Sequence, residues 1–281
     1  MFEPGLLKGK RILVTGGGSG LGVAMGRRFA ELGADLVICG RRRENLEQTA
    51  VALKQDFGVT VAIHPCDICD AAAVETMMDA IWRDGALDVL VNNAAATFIA
   101  QTEHLSARAA DAILAPTLHG ALYCTIAAGK RWIDTGGRGV VLSILSTSTL
   151  TGRAFTVPSA MAKSGLLAMT RSLAVEWGPK GIRTVAIAPG PFPTAGASAG
   201  LHPQGRAAAG PASRNPLGRV GEHQELADLA SFLVSDRAGY INGEMAAIDG
   251  GAHLRSSGAE DLLGWTDEQW EMHRRSLRTK N

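Results

Sequence analysis

The stretch VTGGGSGLG, residues 14–22, stands where a predicted buried strand, Arg11–Thr15, turns into a predicted helix, Leu21–Leu32. Three of its glycines are spaced so that the backbone can turn tightly, approach a pyrophosphate closely and let the helix pack on the sheet. The free N–H groups at the start of such a helix face the negative charge of a phosphate. An ordinary strand-to-helix turn can also be rich in glycine, but the position of this stretch in the first β-α-β unit favours nucleotide binding.

The second strand of that unit indicates which nucleotide binds. It is predicted at Asp35–Cys39, about 20 residues further along, where an NAD-binding unit carries an acidic residue for the ribose 2′-hydroxyl. This chain instead has Gly40 followed by three arginines. No carboxylate is there to repel a 2′-phosphate, and Arg41 can pair with one in bidentate fashion. Arg42 and Arg43 fit a solvated helix start better. The sequence therefore predicts NADP(H) as the cofactor.

Strand and helix patterns alternate from one end of the chain to the other. Further strands are predicted at Thr60–Pro65, Leu87–Asn92, Gly139–Leu145, Thr184–Ala188 and Glu244–Ile248. Further helices are predicted at Ala72–Trp82, Ala107–Lys130, Ser159–Trp177 and Glu222–Ser235. This alternation predicts parallel strands joined by right-handed crossovers, and hence an α/β fold with a doubly wound sheet and helices on both faces. Ligands bind such sheets at the carboxyl ends of the strands. Those ends carry Gly16, Arg41, Asp67, Asn92, Ser146 and Pro189.

Length, composition and charge set limits on the protein. A chain of 281 residues, 46% of them hydrophobic, fits one large domain, 1–281, better than two small ones. A net charge of +1 gives no reason to expect nucleic acid or an acidic membrane surface as a partner. No apolar run reaches the roughly 18 residues of a membrane span, and the N-terminal segment is too short and polar for a signal peptide. We expect a cytoplasmic protein, or a mitochondrial one only if a transit peptide has been removed.

The cysteines carry no recognisable chemistry. Cys39, Cys66, Cys69 and Cys124 are too few and too scattered for a disulfide framework. Cys66 and Cys69 have the spacing of a metal-binding or redox pair, but no second ligand pair accompanies them. We therefore expect reduced thiols and no metal site.

One segment breaks the alternation of strands and helices. Residues 191–217 are rich in Pro, Gly, Ala and Ser and show little periodicity, which is typical of a lid or a disordered loop. Because the segment follows Pro189 and Gly190 at the carboxyl end of a strand, a substrate lid is the favoured prediction. The tail, 252–281, is expected to hold a short helix at Thr266–Leu277. Pro116 is expected to kink the helix predicted at 107–130.

Beyond the glycine stretch, the chain carries Asn92-Asn93-Ala94-Ala95, a lysine at position 163 and a Pro-Gly-Pro turn at 189–191. With these motifs it resembles the short-chain dehydrogenase/reductase family over essentially its whole length. The resemblance implies a single-domain Rossmann fold with about seven parallel strands, in which Lys163 holds the nicotinamide ribose, Asp67 contacts the adenine and Asn92 supports the cofactor side. The cofactor-binding residues implied are Gly16, Gly18, Ser19, Gly20, Leu21, Gly22, Arg41, Asp67, Ile68, Asn93, Ala94, Lys163, Pro189, Gly190, Pro191 and Phe192. A cation at position 163 also has a physical rationale, since it would stabilise an anionic intermediate beside the transferred hydride.

The acid that the family usually carries is absent. That acid is a tyrosine four residues before the lysine, and this chain has Ser159 there, although Ser146 matches the family's active-site serine. A serine hydroxyl is a much weaker proton donor than a phenol. Simple alcohol–ketone chemistry is therefore a less favoured prediction.

The mitochondrial-type 2,4-dienoyl-CoA reductases, one branch of the family, share this departure. Several segments resemble that branch: NNAAATFIAQTEHLS (92–106), FTVPSAMAKSG (155–165), PGPFPTAG (189–196) and TDEQWEMHRRSLR (266–278). The resemblance implies that NADPH delivers a hydride to the distal end of a conjugated diene, and that the dienolate is stabilised at the thioester oxygen before it is protonated to a 3-enoyl-CoA. Such chemistry needs hydrogen-bond donors aimed at an oxyanion more than one strong acid.

Two hydrogen-bond donors of that branch are replaced. Its asparagine aligns with Thr97 and its tyrosine with Ser148, whose hydroxyls are shorter but can still donate. Two arginines expected to meet the CoA part align with Cys69 and Gly200. Losing one oxyanion donor costs roughly 10²–10³ in rate, so a slow or retargeted enzyme is also predicted. The predicted catalytic residues are Lys163, Ser159, Ser148, Thr97 and Ser146, and the predicted substrate contacts are Phe98 and Ser106.

Two other functions stay open. A carbonyl reductase acting on a non-CoA compound is favoured by the missing arginines and opposed by Ser159 and the tail. An NADP-binding sensor or scaffold is favoured by the missing tyrosine and asparagine, and turnover with any acceptor would exclude it. By resemblance, the helices at 107–130 and 159–177 pair between subunits in a homotetramer. His119, on the first of them, is interpreted as a packing or surface residue rather than a catalyst.

Overall fold

The computed structural model describes residues 3–194, 215–255 and 260–278. Its strands are β1 (Arg11–Thr15), β2 (Asp35–Gly40), β3 (Val61–Pro65), β4 (Val89–Asn92), β5 (Gly139–Ile144), β6 (Ile182–Pro189) and β7 (Met245–Ile248). They form one parallel sheet in the order β3-β2-β1-β4-β5-β6-β7. After β3, the chain crosses to the other side of β1 and continues with β4. The carboxyl ends of β1 and β4 therefore flank the crevice where doubly wound sheets bind ligands. The predicted fold is confirmed, and every predicted strand is present.

Helices cover both faces of the sheet. They are α1 (Gly20–Glu31), α2 (Arg43–Phe57), α3 (Ala71–Arg83), α4 (Ala107–Leu114), α5 (Gly120–Asp134), α6 (Ser148–Thr151), α7 (Val157–Trp177), α8 (His223–Val234) and α9 (Asp267–Arg278). Helices α1, α2 and α8 share one apolar core with the sheet, whereas α3, α5 and α7 pack on the opposite face. The strands are apolar on both faces because both faces are covered. Helices α2 and α6 are additional to those predicted, and the predicted tail helix is α9.

The long helix predicted at 107–130 is divided in the structure. Pro116 has no N–H to donate to the preceding turn, and the hydrogen bonding widens into a π-helical turn, Ala115–His119, between α4 and α5. This π turn stands where a kink was predicted. Among the described residues, the run Ala107–Asp134 is long and apolar enough to cross a membrane, but half of its apolar window is buried inside the protein, as in a core helix.

The predicted lid is described only at its two ends. Residues 191–194 continue from β6, and residues 215–217 lead towards α8. The remainder of the 191–217 segment lies outside the described residues, as does Gly200, one of the two positions aligned with a CoA-facing arginine.

Candidate active site

The loop between β1 and α1 is shaped by close backbone contacts. Gly16 has a φ of +66°, and its N–H donates to the Cys39 carbonyl oxygen (2.9 Å), which ties the loop to β2. A Cβ at Gly22 would overlap the Gly16 carbonyl oxygen and lie 2.8 Å from Asn93 Nδ2. Ser19, the N-cap residue of α1, makes no side-chain capping bond, so the helix start can receive an anion. The same loop and first turn hold Gly18, Gly20 and Leu21. The loop and the first turn of α1 can therefore hold a dinucleotide pyrophosphate.

Thr15 joins the glycine loop to the segment after β4. Its buried hydroxyl donates to the Val91 carbonyl oxygen (3.1 Å) and accepts the N–H groups of Asn93 (3.0 Å) and Ala94 (3.1 Å). The Asn93 amide in turn donates to the Thr15 carbonyl oxygen (2.9 Å). Sequence reasoning missed Thr15, and the available signal was a hydroxyl directly before the glycine stretch. The predicted cofactor residues Asn93 and Ala94 are thus held against the loop.

Arg41 and Asp67 are exposed at the ends of the neighbouring strands β2 and β3. The Asp67 carboxylate accepts the Cys69 N–H (3.1 Å), which fixes the turn after β3. Burial and the Asp67 carboxylate raise the pKa of Cys69 to about 11, so a neutral thiol stands where the dienoyl-CoA reductase branch implies an arginine. Ile68 is buried, and a Cβ at Gly120 of α5 would lie 2.6 Å from Ile68 Cγ1. The Ile68 side chain therefore belongs to the core.

Lys163 is buried at the carboxyl end of β5. Its Nζ donates to the carbonyl oxygen of Ile144 at 2.5 Å, and burial lowers its pKa to about 8. Ser159 lies one helical turn earlier on α7, on the same side of the helix. The cation and the serine hydroxyl are thus presented together at the edge of the sheet that carries the glycine loop.

Two further segments, at the carboxyl ends of β4 and β5, also carry predicted hydroxyl donors. The Ser148 N–H donates to Ser146 Oγ (3.3 Å), and Ser148 is itself buried at the start of α6. Thr97 is half-buried in the segment that follows β4. Within the described ranges, the side-chain hydroxyls of Ser148, Ser159 and Thr97 have no hydrogen-bond partner. Each can therefore donate to a substrate oxygen without breaking a bond within the protein.

The π turn supports the segment that carries Thr97. Thr117, which is fully buried in that turn, accepts the Ala96 N–H through its hydroxyl at 3.1 Å. Since Ala96 directly precedes Thr97, this bond restrains the backbone beside a candidate donor. His119, at the end of the turn, is exposed and lies beside the ring of Tyr123 (6.3 Å between ring centroids), as a surface residue would.

The predicted substrate contacts differ in their surroundings. Phe98 is half-buried, and two residues later the Ala100 N–H donates to the Phe155 carbonyl oxygen (2.9 Å). Ser106 is exposed, and its Oγ accepts the Ala109 N–H (3.2 Å) as the N-cap of α4. A capping role accounts for Ser106 structurally, and its contact with substrate stays a prediction.

The turn at 189–191 fastens the end of β6 to the end of β7. A Cβ at Gly190 would lie 2.5 Å from Asp249 Cβ, so the two backbones can approach only because this residue is glycine. Phe192 is buried, and a Cβ at Gly221 would overlap its ring. The start of the predicted lid is therefore anchored to the body of the protein.

Within the described part of the chain, no three His, Cys, Asp or Glu side chains are grouped so that they could hold a metal ion. All four cysteines are free thiols, and three of them are buried. Burial raises the pKa of Cys39 to about 12, which makes that thiol unreactive.

Comparison with known proteins agrees with this geometry. The sequence profile of the enoyl-(acyl carrier protein) reductase family matches residues 16–253, which span the glycine loop, the buried lysine and the turn after β6. The chain belongs to the short-chain dehydrogenase/reductase family.

Similar curated proteins include reductases of conjugated acyl thioesters. A probable 2,4-dienoyl-CoA reductase of Bacillus subtilis, named as (2E)-enoyl-CoA-producing, is 43% identical over 247 residues, covering 87% of this chain and 97% of that protein. The probable 2,4-dienoyl-CoA reductase 3 of Caenorhabditis elegans, named as (3E)-enoyl-CoA-producing, is 40% identical over 277 residues, covering 96% and 90%.

Solved structures give the same picture of the fold. A short-chain dehydrogenase from Bacillus anthracis is 38% identical, with a TM-score of 0.80 over 89% of this chain and 99% of that one. A dehydrogenase from Agrobacterium tumefaciens, solved with bound NADP, is 31% identical, with a TM-score of 0.81 over 90% of this chain and 100% of that one.

Proposed function

We propose that the protein uses NADPH to reduce a 2,4-dienoyl-CoA to a 3-enoyl-CoA. The observation that carries the proposal is that the described residues include a buried cation, Lys163, and three predicted donors without a side-chain partner, the hydroxyls of Ser159, Ser148 and Thr97. These groups suit the stabilisation of an oxyanion better than the reduction of a ketone, which needs one strong acid. The names of the 40–43% identical relatives support the same substrate class.

NADP(H) is the proposed cofactor. The glycine loop offers a cradle for the pyrophosphate, and Arg41 stands exposed at the end of β2 without a neighbouring carboxylate in the Gly40–Arg43 stretch. A guanidinium pairs well with a 2′-phosphate, whereas an acid there would select the free ribose hydroxyl. Bound NADPH would supply the hydride.

The residues of this chain would bind the thioester and stabilise charge on its oxygen. Lys163 would hold the nicotinamide ribose and provide a positive charge below a pH of about 8, its pKa in this buried position. The hydroxyls of Thr97 and Ser148 would donate hydrogen bonds to the thioester oxygen, where negative charge develops. Solvent would deliver the proton that completes the 3-enoyl-CoA.

Assembly and closure belong to the same proposal. The outer surfaces of α5 and α7 expose Ile126, Met161 and Val175, and burial of these side chains between subunits would stabilise a homotetramer. The segment 191–217 would act as the lid over the acyl thioester. The same proposal includes a cytoplasmic location and a role in fatty-acid breakdown, where 2,4-dienoyl-CoA would be the substrate.

The test is NADPH oxidation with 2,4-hexadienoyl-CoA and 2,4-decadienoyl-CoA, followed by mass spectrometry and NMR of the product. We expect turnover with NADPH, much slower turnover with NADH, and a 3-enoyl product. A 2-enoyl product would support the proposed substrate but place the protonation at a different carbon atom. Tight NADPH binding without any turnover of either thioester would refute the proposal.

A carbonyl reductase acting on a non-CoA substrate is the second candidate. Its specific support is Cys69, a neutral thiol at a position where a CoA-binding arginine was expected. A panel of ketones in the same assay separates the candidates. Turnover of ketones alone would favour the carbonyl reductase, and turnover of nothing would favour a sensor.

A further inference from the structure

Phe155 has an unusual backbone conformation. Its φ is +64°, and it is the one non-glycine residue in the described ranges with a positive φ. A bulky L-residue is disfavoured there because its Cβ crowds the carbonyl group. The side chain is nevertheless not packed in the core, since it is 55% exposed. Backbone strain that supports an exposed ring is a feature of binding sites more than of cores.

Hydrogen bonds on both sides hold Phe155 in place. Its carbonyl oxygen accepts the Ala100 N–H (2.9 Å), two residues after Phe98. Next to it, Thr156 is buried and its hydroxyl donates to the Arg153 carbonyl oxygen (3.3 Å). The loop between α6 and α7 is thereby joined to the segment that carries the candidate donor and the half-buried Phe98. Phe155 therefore lies beside the segment that carries Thr97 and Phe98, and more than half of its side chain is exposed there.

The outer face of α7 has a different character. Val157 and Met161, both exposed, lie four residues apart on one side of that helix. Ser159 and Lys163 lie on the other side, towards the site. Phe155 precedes the helix, and its carbonyl oxygen is bonded to the segment after β4, so it is tied to that segment and is not part of the outer stripe.

We propose that Phe155 is a specificity-determining residue that packs against the acyl chain of the substrate. The inference rests on the proposed function, because the chain that passes the ring is the part of the thioester beyond the reacting diene. Each buried methylene favours binding (about 0.8 kcal/mol, or roughly fourfold in the dissociation constant, Kd), so the ring would make affinity rise with chain length.

Two variants separate the ring from the backbone strain. Phe155→Gly removes both, because glycine adopts a positive φ freely, whereas Phe155→Ala removes the ring and keeps the strain. Tyr240→Gly is the matched control, since it deletes a fully exposed aromatic ring elsewhere on the surface. A purely structural role predicts that only the melting temperature responds.

The measurement is calorimetric binding of saturated acyl-CoAs, from butanoyl to dodecanoyl, to the protein with NADP⁺. In the wild type we expect Kd to fall as the chain lengthens. In both Phe155 variants we expect about tenfold weaker binding of decanoyl-CoA but less than about twofold for butanoyl-CoA. Tyr240→Gly should match the wild type, and Phe155→Gly should melt at the same temperature or higher.

Several outcomes overturn the inference. These are equal weakening at every chain length, no weakening, or no binding of any acyl-CoA by the wild type. Dissociation of the Phe155 variants in size-exclusion chromatography with light scattering would assign the ring to an interface between copies instead. A chain-length effect without turnover of dienoyl-CoA would uphold the role of Phe155 and refute only the proposed reaction.

Discussion

The two halves of the site are built in different ways. On the β1–β2 side, backbone atoms and missing side chains define the shape, as at Gly16 and Gly22, where any Cβ would meet another backbone segment. On the β4–β5 side, chemistry rests on a few side chains, and three hydroxyls there have no partner among the described residues. Gly16 and Gly22 therefore leave no room for a side chain, whereas the β4–β5 side can change its donors and keep its fold.

This difference explains where the chain differs from the dienoyl-CoA reductases that it resembles. The replacements at Thr97 and Ser148 lie on the side where a hydroxyl can stand in for an amide or a phenol without disturbing the sheet. The glycine loop keeps its glycines because the contact between α1 and the end of β1 leaves no room for a side chain. We therefore expect substitutions to act on cofactor binding in the first half and on turnover in the second.

The largest combined effect, on both cofactor affinity and stability, is expected from Gly22→Ala. The added methyl group would overlap the Gly16 carbonyl oxygen and crowd the Asn93 amide, so the loop must shift away from its cradle. We expect NADPH affinity, measured by fluorescence titration, to fall at least about 100-fold, with a loss of roughly 2–4 kcal/mol in the free energy of unfolding.

Gly26→Ala on the same helix is the control. A Cβ there would lie 3.7 Å from Leu36 Cδ1, an ordinary contact, and alanine stabilises a helix interior by roughly 0.5–1 kcal/mol relative to glycine. We expect unchanged NADPH binding and slightly higher stability. Equal behaviour of the two variants would contradict the steric account of the β1–β2 side.

Lys163→Met is expected to come second. Removing the buried cation should lower kcat by roughly 10²–10³, with steady-state kinetics as the measurement. Because the lysine pKa is about 8, wild-type activity should fall as the pH rises through that value. Lys163→Arg keeps its charge and should lose this alkaline decline. A pH profile of Lys163→Met that still falls near pH 8 would assign the titration to another group.

The same buried lysine links stability to pH. Its folded pKa of about 8 lies below the ordinary value of 10.5, so the unfolded chain binds more protons between these two values. Unfolding therefore becomes less favourable as the pH rises from 8 to 10.5, by about 3 kcal/mol. The difference in unfolding free energy between wild type and Lys163→Met, from urea titrations at both ends of this range, isolates that contribution.

Arg41→Ala should have an intermediate effect confined to one cofactor. Loss of a charge-assisted pair with a 2′-phosphate costs roughly 1.5–3 kcal/mol, which corresponds to about 10- to 100-fold in Kd for NADPH, while NADH binding should barely change. Arg43→Ala is the control, since Arg43 pairs with Glu47 (3.6 Å) on α2. An equal loss for both dinucleotides would remove Arg41 from the 2′-phosphate site.

Sequence patterns predicted the sheet and the position of the glycine loop well, because both follow from local rules. Apolar runs of strand length located all seven strands, and the spacing of glycines located the loop at Gly16–Gly22. The ends of the strands were less accurate: β6 begins at Ile182 rather than Thr184, since its first residues are covered by tertiary packing that has no local signature.

The β4–β5 side was less predictable because its geometry depends on contacts between distant residues. Nothing local shows that the Ile144 carbonyl oxygen receives the Lys163 ammonium group, or that Thr117 restrains Ala96. The π turn was foreseen only as a kink, because a proline shows where helical bonding fails and not how the chain adjusts. The positive φ of Phe155 had no signal at all, since the residue type argues against it.

The smallest effects are expected at Thr97 and Ser148, the replaced donors. They test whether the β4–β5 side can change its donors and keep its activity. Ser148→Ala should lower kcat with a dienoyl-CoA about tenfold, because one weak donor to the thioester oxygen is lost while Thr97 remains. Thr151→Ala, also on α6 but exposed, should have no effect. Thr97→Asn should raise kcat several-fold, since an amide reaches further than a hydroxyl. If all three variants match the wild type, the thioester oxygen is held by Ser159 and Lys163 alone, and the departures at positions 97 and 148 are neutral.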